Sequence, residues 1–252
     1  MTKARLYQTI ATIAGLFVFL STQKTEAFTF RVYPLQMILS ASSSSGLLTL
    51  ENESDERVRF QVTVFAWDED QKGEMILSET NDLIFYPTLL TLGAKEKRNI
   101  RVGTRSPQVT TEKSYRVFVE ELPPATKPTG PGIRVLTKMG IPVFIQPGQL
   151  KKSVHIEQLA VRGDQLSFDI KNQGNVHIVP RDVQVTGVNA RGEPLTKLEL
   201  RHWYVLAGHS RRYEVTLPKT ECTSIKDFVV QLQVEGQVMK ETVAMHPDSC
   251  PR

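Results

Sequence analysis

Histidine, aspartate and glutamate are the side chains of this sequence that could bind a metal ion, and their spacing does not favour a metal site. His202 and His209 flank the pair Trp203-Tyr204, but none of the five histidines stands at the spacing of metal ligands. The run Asp68-Glu69-Asp70 lacks the further oxygen ligands and the glycine of a calcium-binding loop. We therefore predict no metal, and we interpret the acidic run as a solvated hairpin turn.

Catalytic motifs are also missing from the sequence. It contains no G-x-S-x-G elbow, no phosphate-binding glycine loop and no H-E-x-x-H pair. The net charge of +4 comes from scattered residues, and no basic segment is interleaved with aromatic residues as in nucleic-acid-binding proteins. The sequence predicts no catalytic residues, no cofactor, no nucleic-acid partner and no small-molecule substrate, unless distant residues converge in the fold.

The first 27 residues have the pattern of a secretory signal peptide. Lys3 and Arg5 precede an apolar run over 10–20, and a polar segment then ends at the small residue Ala27. This run is about half of the roughly 20 residues that a membrane-spanning helix needs. We expect cleavage before Phe28 and export, with a retained N-terminal anchor as the alternative. Cleavage removes three basic residues and one acidic residue, which changes the net charge from +4 to +2.

Only two cysteines occur, Cys222 and Cys250, and both follow the predicted signal peptide. An oxidising compartment would allow them to form a disulfide, which we predict within the C-terminal domain. Two separate free thiols are the alternative.

From Phe28 onward, apolar residues recur mostly with a period of two in short runs separated by turn-forming residues. This pattern is typical of β-strands, and no long segment shows the 3.6-residue period of an amphipathic helix. Pro147-Gly148 interrupts the pattern, which then starts again. We predict an all-β protein with two β-sandwich domains, residues 28–147 and 148–252. The predicted strands cover 28–33, 46–50, 58–67, 99–103, 115–119, 133–145, 154–161, 165–171, 183–188, 211–217 and 228–235.

Several segments in this order resemble the periplasmic chaperones of the chaperone-usher pathway, and in particular the archaic branch of that family. The resemblance covers nearly the whole mature chain, and no single motif decides it. The segments are Phe65-Ala66-Trp67, Tyr86-Pro87, Leu90-x-Leu92-Gly93, Arg98-x-x-Arg101, Tyr115-Arg116-Val117-Phe118, Glu121-Leu122-Pro123-Pro124, Ile141-Pro142-Val143-Phe144-Ile145-Gln146-Pro147 and Asn172-x-Gly174-Asn175-x-His177.

The resemblance implies two immunoglobulin-like sandwiches in a boomerang arrangement. It also implies a function in the periplasm: binding pilus subunits that lack their final strand, lending them a strand of the first domain, and delivering them to an outer-membrane usher.

The segment 133–145 fits the lent strand, because a donor strand must be long, exposed at one edge and apolar at alternate positions. Its odd positions form the apolar face. The predicted donor residues are Ile133, Val135, Thr137, Met139 and Ile141. The alternative is that the strand packs both faces within its own domain.

The better-known branch of the family holds the carboxylate at the subunit's C-terminus with an Arg on the first strand and a Lys late in the donor strand. Gln36 and Pro142 stand at those positions here, so that pair of cations is missing. We predict Arg116 as the replacement, since antiparallel pairing places it opposite about Pro142, and arginine binds carboxylates with two parallel hydrogen bonds. Lys171 is the second candidate, and an ordinary solvated charge is the alternative for each.

Two other functions stay open at this point. One is a secreted two-sandwich adhesion or carbohydrate-binding protein, which would present aromatic residues at its loop tips. The other is an exported hydrolase on a sandwich scaffold.

Overall fold

The computed structural model describes residues 30–124, 135–217 and 224–245. The predicted signal peptide, Ile133, Cys222 and Cys250 lie outside these ranges. The disulfide and the cleavage of the signal peptide therefore stay predictions. Among the described residues no helix has the length and apolar composition needed to span a membrane.

The N-terminal part of the chain forms two sheets that face each other across an apolar core. One sheet has the strand order β1-β3-β8-β6, and the other has the order β2-β10-β9-β4-β5 with β7 also paired to β4. The strands are β1 (Phe30–Tyr33), β2 (Met37–Leu39), β3 (Ser45–Asn52), β4 (Val58–Glu69), β5 (Met75–Glu79), β6 (Leu83–Tyr86), β7 (Leu89–Leu92), β8 (Lys97–Thr104), β9 (Lys113–Leu122) and β10 (Lys138–Ile145).

The C-terminal part forms a second sandwich with its own core. Its sheets have the orders β11-β12-β15 and β14-β13-β16-β17. The strands are β11 (Val154–Arg162), β12 (Gln165–Asn172), β13 (Arg181–Val188), β14 (Pro194–Glu199), β15 (Ser210–Thr216), β16 (Asp227–Val234) and β17 (Gln237–Ala244). The two-sandwich fold predicted from the sequence is confirmed.

Strand β4 explains how the first domain acquires a second buried surface. Val58, Phe60 and Val62 point into the core of the first domain, as the period of two requires. Towards the end of the strand, Trp67 and Glu69 are buried on the opposite face. Residues of the second domain cover this outer face, and one of them, Leu206, packs against Trp67. Strand β4 therefore contributes one face to the core of the first domain and, near its end, the other face to the domain junction.

The structure shortens the predicted strand 133–145, because β10 begins at Lys138. Continuing the β9–β10 register from the pair Lys138 and Glu120 would place Val135 opposite Pro123. Proline has no amide hydrogen to donate to a strand ladder. Leu122 is accordingly the last residue of β9, and among the described residues the backbone pairing beyond Lys138 consists of one hydrogen bond of 2.9 Å from the Glu121 amide to the carbonyl oxygen of Thr137.

Candidate functional site

The outer edge of β10 is open along part of its length. Strand β2 pairs in parallel with Val143, Phe144 and Ile145, whereas β9 covers the other edge of the whole strand. Within the described ranges no strand pairs with the outer edge from Lys138 to Pro142. An unpaired edge is a template on which another chain can add a strand.

The predicted donor residues fall into two groups. Val135 is 77% exposed, and Thr137 is partly exposed. Ile141 is 1% exposed in the core of the first domain, and Met139 packs against the same core. The prediction that the apolar face continues as a donor surface through Ile141 was therefore wrong at its C-terminal end, because the odd face turns into the domain's own core there. Ile133 lies outside the described residues.

Arg116 stands where the sequence places it. It lies directly across from Pro142 on β10 and from Phe65 on β4, one strand in from the open edge. Its guanidinium carbon is 3.9 Å from the centre of the Trp67 ring. The rings of Trp203 and Tyr204, from the second domain, lie 5.6 Å and 5.7 Å away. The side chain is thus surrounded by aromatic rings of both domains.

The guanidinium of Arg116 is buried, and two of its donor atoms have no partner within the described ranges. The residue is 6% exposed, and burial lowers the pKa of the guanidinium from its ordinary value. Nη1 lies 3.5 Å from the carbonyl oxygen of Gly140, while Nε and Nη2 have no hydrogen-bond partner among the described residues. Nε and Nη2 form one edge of the planar group, and that edge matches the two oxygens of a carboxylate. A buried donor without an acceptor is costly, so this edge favours an anionic ligand.

Lys171 has different surroundings. Its ammonium group donates a hydrogen bond of 2.8 Å to the carbonyl oxygen of Gly208. It lines a cavity of about 660 Å³ between the domains whose wall includes Glu69 and Arg212 but not Arg116. The structure therefore does not bring the two predicted cations onto one ligand site.

An aromatic cluster joins the two domains beside Arg116. Trp67, Phe144 and Leu206 form a small buried core, and Tyr204 packs against it. The imidazole of His177 stacks on Phe144 with ring centres 3.8 Å apart. Most of these residues were identified from the sequence only as parts of the segments that resemble the family. The signal that could have found the cluster is the change of buried face along β4.

A polar joint fixes the same contact from the other side. Glu112 accepts hydrogen bonds from the backbone amide of His177 at 2.9 Å and pairs with its Nδ1 at 2.7 Å. Asn175 donates to the carbonyl oxygens of Thr110 and Gln149. At Gly174 an added Cβ would lie 2.4 Å from the carbonyl oxygen of Lys151, so only glycine fits. This joint holds the second domain's aromatic rings over Arg116.

Glu69 corrects the interpretation of the acidic run as a solvated turn. The turn itself is formed by Asp70, whose carboxylate accepts the backbone amides of Lys72 and Glu74. Glu69 is only 5% exposed, because the second domain covers it. One of its oxygens accepts the Leu206 amide at 2.8 Å, and the other has no hydrogen-bond partner among the described residues. Burial raises its pKa from 4.5 to about 7, against the opposing effects of the Leu206 amide, His209 and Arg211.

We expect Glu69→Gln to flatten the dependence of stability on pH. Because the pKa is raised in the folded state, that state binds the proton more tightly, and stability falls as the pH rises from about 4.5 to 7. Glutamine keeps an acceptor for Leu206 without the charge. Above pH 7 the variant should be more stable than the wild-type protein by about 1 to 3 kcal/mol, and near pH 4.5 the two should agree. Urea unfolding between pH 4.5 and 8 measures this difference.

The control for this experiment is Glu74→Gln, since the side chain of Glu74 is 72% exposed on the same hairpin. Its stability profile should follow that of the wild-type protein. A Glu69→Gln profile with the wild-type slope would show that Glu69 stays ionised in the folded protein.

The N-terminal part of the chain matches one family of known proteins. The family described as pili and flagellar-assembly chaperone, PapD N-terminal domain, matches residues 29–151. No curated protein sequence matches the chain.

Three solved structures illustrate the likeness in fold. The class 5 fimbriae chaperone CfaA has a TM-score of 0.56 at 17% identity, covering 84% of this chain and 98% of its own. The chaperone–tip adhesion subunit complex CsuC–CsuE, from the archaic chaperone-usher Csu pili of Acinetobacter baumannii, gives 0.54 at 20% identity, covering 74% and 90%. The SafA pilin in complex with the SafB chaperone, from Salmonella enterica, gives 0.53 at 15% identity, covering 87% and 98%.

Proposed function

We propose that the chain is a pili and flagellar-assembly chaperone, which binds pilus subunits in the periplasm by donor-strand complementation and passes them to an outer-membrane usher. The observation that carries this proposal is the open edge of β10 beside the unpaired guanidinium edge of Arg116. The first accepts a strand, and the second accepts a carboxylate. A subunit that lacks its last strand and ends in a free carboxylate offers both.

The donor segment supplies the apolar contact in this proposal. Val135 is exposed, and Ile133 is the preceding odd-numbered apolar residue of the donor segment in the sequence. Burial of each side chain in a subunit's groove contributes roughly 1.5 to 3 kcal/mol before the cost of ordering the segment. Backbone pairing along the open edge from Lys138 to Pro142 sets the register between the two proteins.

Arg116 anchors the subunit's terminal carboxylate in the proposed complex. A charge-assisted pair in a partly dry site is stronger than the same pair in water, because the surrounding rings lower the local dielectric constant. We assign the anchor to Arg116 alone, since Lys171 lines a cavity that does not include Arg116.

Other parts of the proposal follow from the family and the sequence. Residues 1–27 direct export and are removed, Cys222 and Cys250 form a disulfide in the oxidising periplasm, and the domains divide at Pro147-Gly148. We place the protein in the archaic branch, and we expect it to act without catalysis.

Periplasmic co-expression tests this function. The full-length chaperone gene would be expressed in Escherichia coli with and without a pilus subunit that lacks its final strand. The subunit should accumulate and co-purify at about one copy per chaperone, and alone it should be degraded. A chaperone that purifies alone, with the subunit degraded equally in both cultures, would contradict the proposal. A glycan array tests the alternative function, because a carbohydrate-binding protein should bind a glycan on the array and the proposed chaperone should not.

A further inference from the structure

The three rings around Arg116 differ in how firmly they are held. Trp67 is 3% exposed and belongs to the buried junction core with Phe144 and Leu206. Tyr204 is partly buried against that core. Trp203 is 43% exposed, although its ring centre lies only 5.6 Å from the guanidinium carbon. One of the rings next to the cation is therefore largely in solvent.

The backbone that carries Trp203 is not part of a strand. Strand β14 ends at Glu199, and the Leu200 amide makes one further hydrogen bond to the carbonyl oxygen of Val183. The next paired residue is Val205, which forms an isolated bridge with Ile178. Arg201 and His202, the residues just before Trp203, are exposed as well. Trp203 is not part of the buried junction core, and its ring contacts Tyr204 with ring centres 5.7 Å apart.

Access to Arg116 requires such a movement. Nε and Nη2 are buried and have no hydrogen-bond partner in the part of the chain that the structure describes, so a ligand oxygen cannot reach them in the structure as it stands. The Trp67 ring is fixed by the junction core, and Nη1 faces the backbone of Gly140. Of the three rings around Arg116, that of Trp203 is the most exposed.

We propose that Trp203 of the second domain is a gate on the Arg116 site, which closes over the guanidinium in the free protein and moves aside when a carboxylate enters. In the closed state the Trp203 ring adds a second cation–π contact to the one that the guanidinium makes with Trp67. In the open state the carboxylate replaces that second contact with two hydrogen bonds. This inference rests on the proposed function, and it assigns to the second domain a part in admitting the ligand.

Chemical modification of the mature protein tests the gate without any partner. Phenylglyoxal reacts with exposed guanidinium groups, and mass spectrometry of peptides reports the rate at each arginine. Arg116 should react slowly in the wild-type protein and about three to thirty times faster in Trp203→Ala, the range expected when a cation–π contact is lost. Trp203→Phe should react at nearly the wild-type rate, because a ring is kept.

The matched control is Tyr33→Ala. The Tyr33 ring, 45% exposed, lies 5.8 Å from the guanidinium carbon of Arg31. Its removal should leave the rate at Arg116 unchanged. The melting temperature of Trp203→Ala should stay close to that of the wild-type protein, which separates gate opening from unfolding. Equal rates at Arg116 in the wild-type protein and Trp203→Ala, or a wild-type rate as fast as that of exposed Arg31, would overturn the gate.

Sodium acetate in the same assay separates the gate from the anchor. If Arg116 binds carboxylates, acetate should slow its modification, and it should do so at lower concentration in Trp203→Ala than in the wild-type protein. An absence of protection in both proteins would count against the carboxylate anchor while the rate difference would still support the gate. Protection at the same concentration in both would support the anchor and contradict the gate.

Discussion

Arg116→Ala should weaken the binding of a pilus subunit by about 2 to 5 kcal/mol, because it leaves the subunit's terminal carboxylate poorly paired in a partly dry cleft. The chaperone's own stability should change little. The substitution removes a cation–π contact with Trp67, but it also removes two buried donors that have no partner among the described residues. Subunit yield in periplasmic co-expression, together with the melting temperature of the purified variant, measures both effects.

Three variants serve as comparisons for Arg116→Ala. Arg116→Lys should restore only part of the binding, because an ammonium group cannot make the two parallel hydrogen bonds of a guanidinium edge. Gln36→Ala should have a far smaller effect, and so should Lys171→Ala, whose ammonium group is bonded to Gly208. If Arg116→Ala captured the subunit as well as the wild-type protein and Lys171→Ala failed, the anchor would have been assigned to the wrong cation, and strand donation would still stand.

The strands that the sequence predicts best are those with one buried face. In strand β12, buried positions alternate with exposed or partly exposed ones, and its predicted bounds differ from the observed ones by a single residue. Strand β5 was not predicted, because all five of its residues are exposed and no inward face produces a period of two. Strand β17, exposed at most positions, was missed for the same reason.

The position of Arg116 could be predicted because it depends only on register within one hairpin. The sequence predicts that two strands on either side of a proline-rich segment are antiparallel neighbours, and counting from that segment places Arg116 opposite Pro142, as observed. The same proline-rich segment explains why the predicted strand 133–145 is longer than the observed one. Pro123 and Pro124 end the ladder earlier than the apolar alternation of 133–145 suggests.

The surroundings of Arg116 could not be predicted in this way. Trp203 and Tyr204 are far from Arg116 in sequence, and they reach it only through the angle at which the two domains meet. That angle is set by contacts such as the one between Glu112 and His177, which join separate domains and leave no periodic pattern in the sequence. The buried environment of Glu69 has the same origin.

Strand donation itself makes the second large prediction. Replacing Ile133 and Val135 together by Ser should abolish capture of the subunit, since both apolar contacts of the donor segment are lost. The melting temperature of the free chaperone should hardly change, because Val135 is 77% exposed in the absence of a partner. Capture is measured by the amount of subunit that co-purifies from periplasm, and stability by thermal unfolding of the chaperone alone.

Ile141→Ala is the matched comparison on the same face of the same strand. Ile141 is 1% exposed in the core of the first domain, so its truncation should destabilise the chaperone by about 2 to 5 kcal/mol. The variant with Ser at positions 133 and 135 should therefore lose capture and keep its stability. Ile141→Ala should instead lose stability. A large drop in melting temperature for the Ile133 and Val135 variant would show instead that these residues pack within their own domain. Unchanged capture by that variant would exclude the segment before Lys138 as the donor, and the open edge of β10 would then bind its partner through backbone pairing alone.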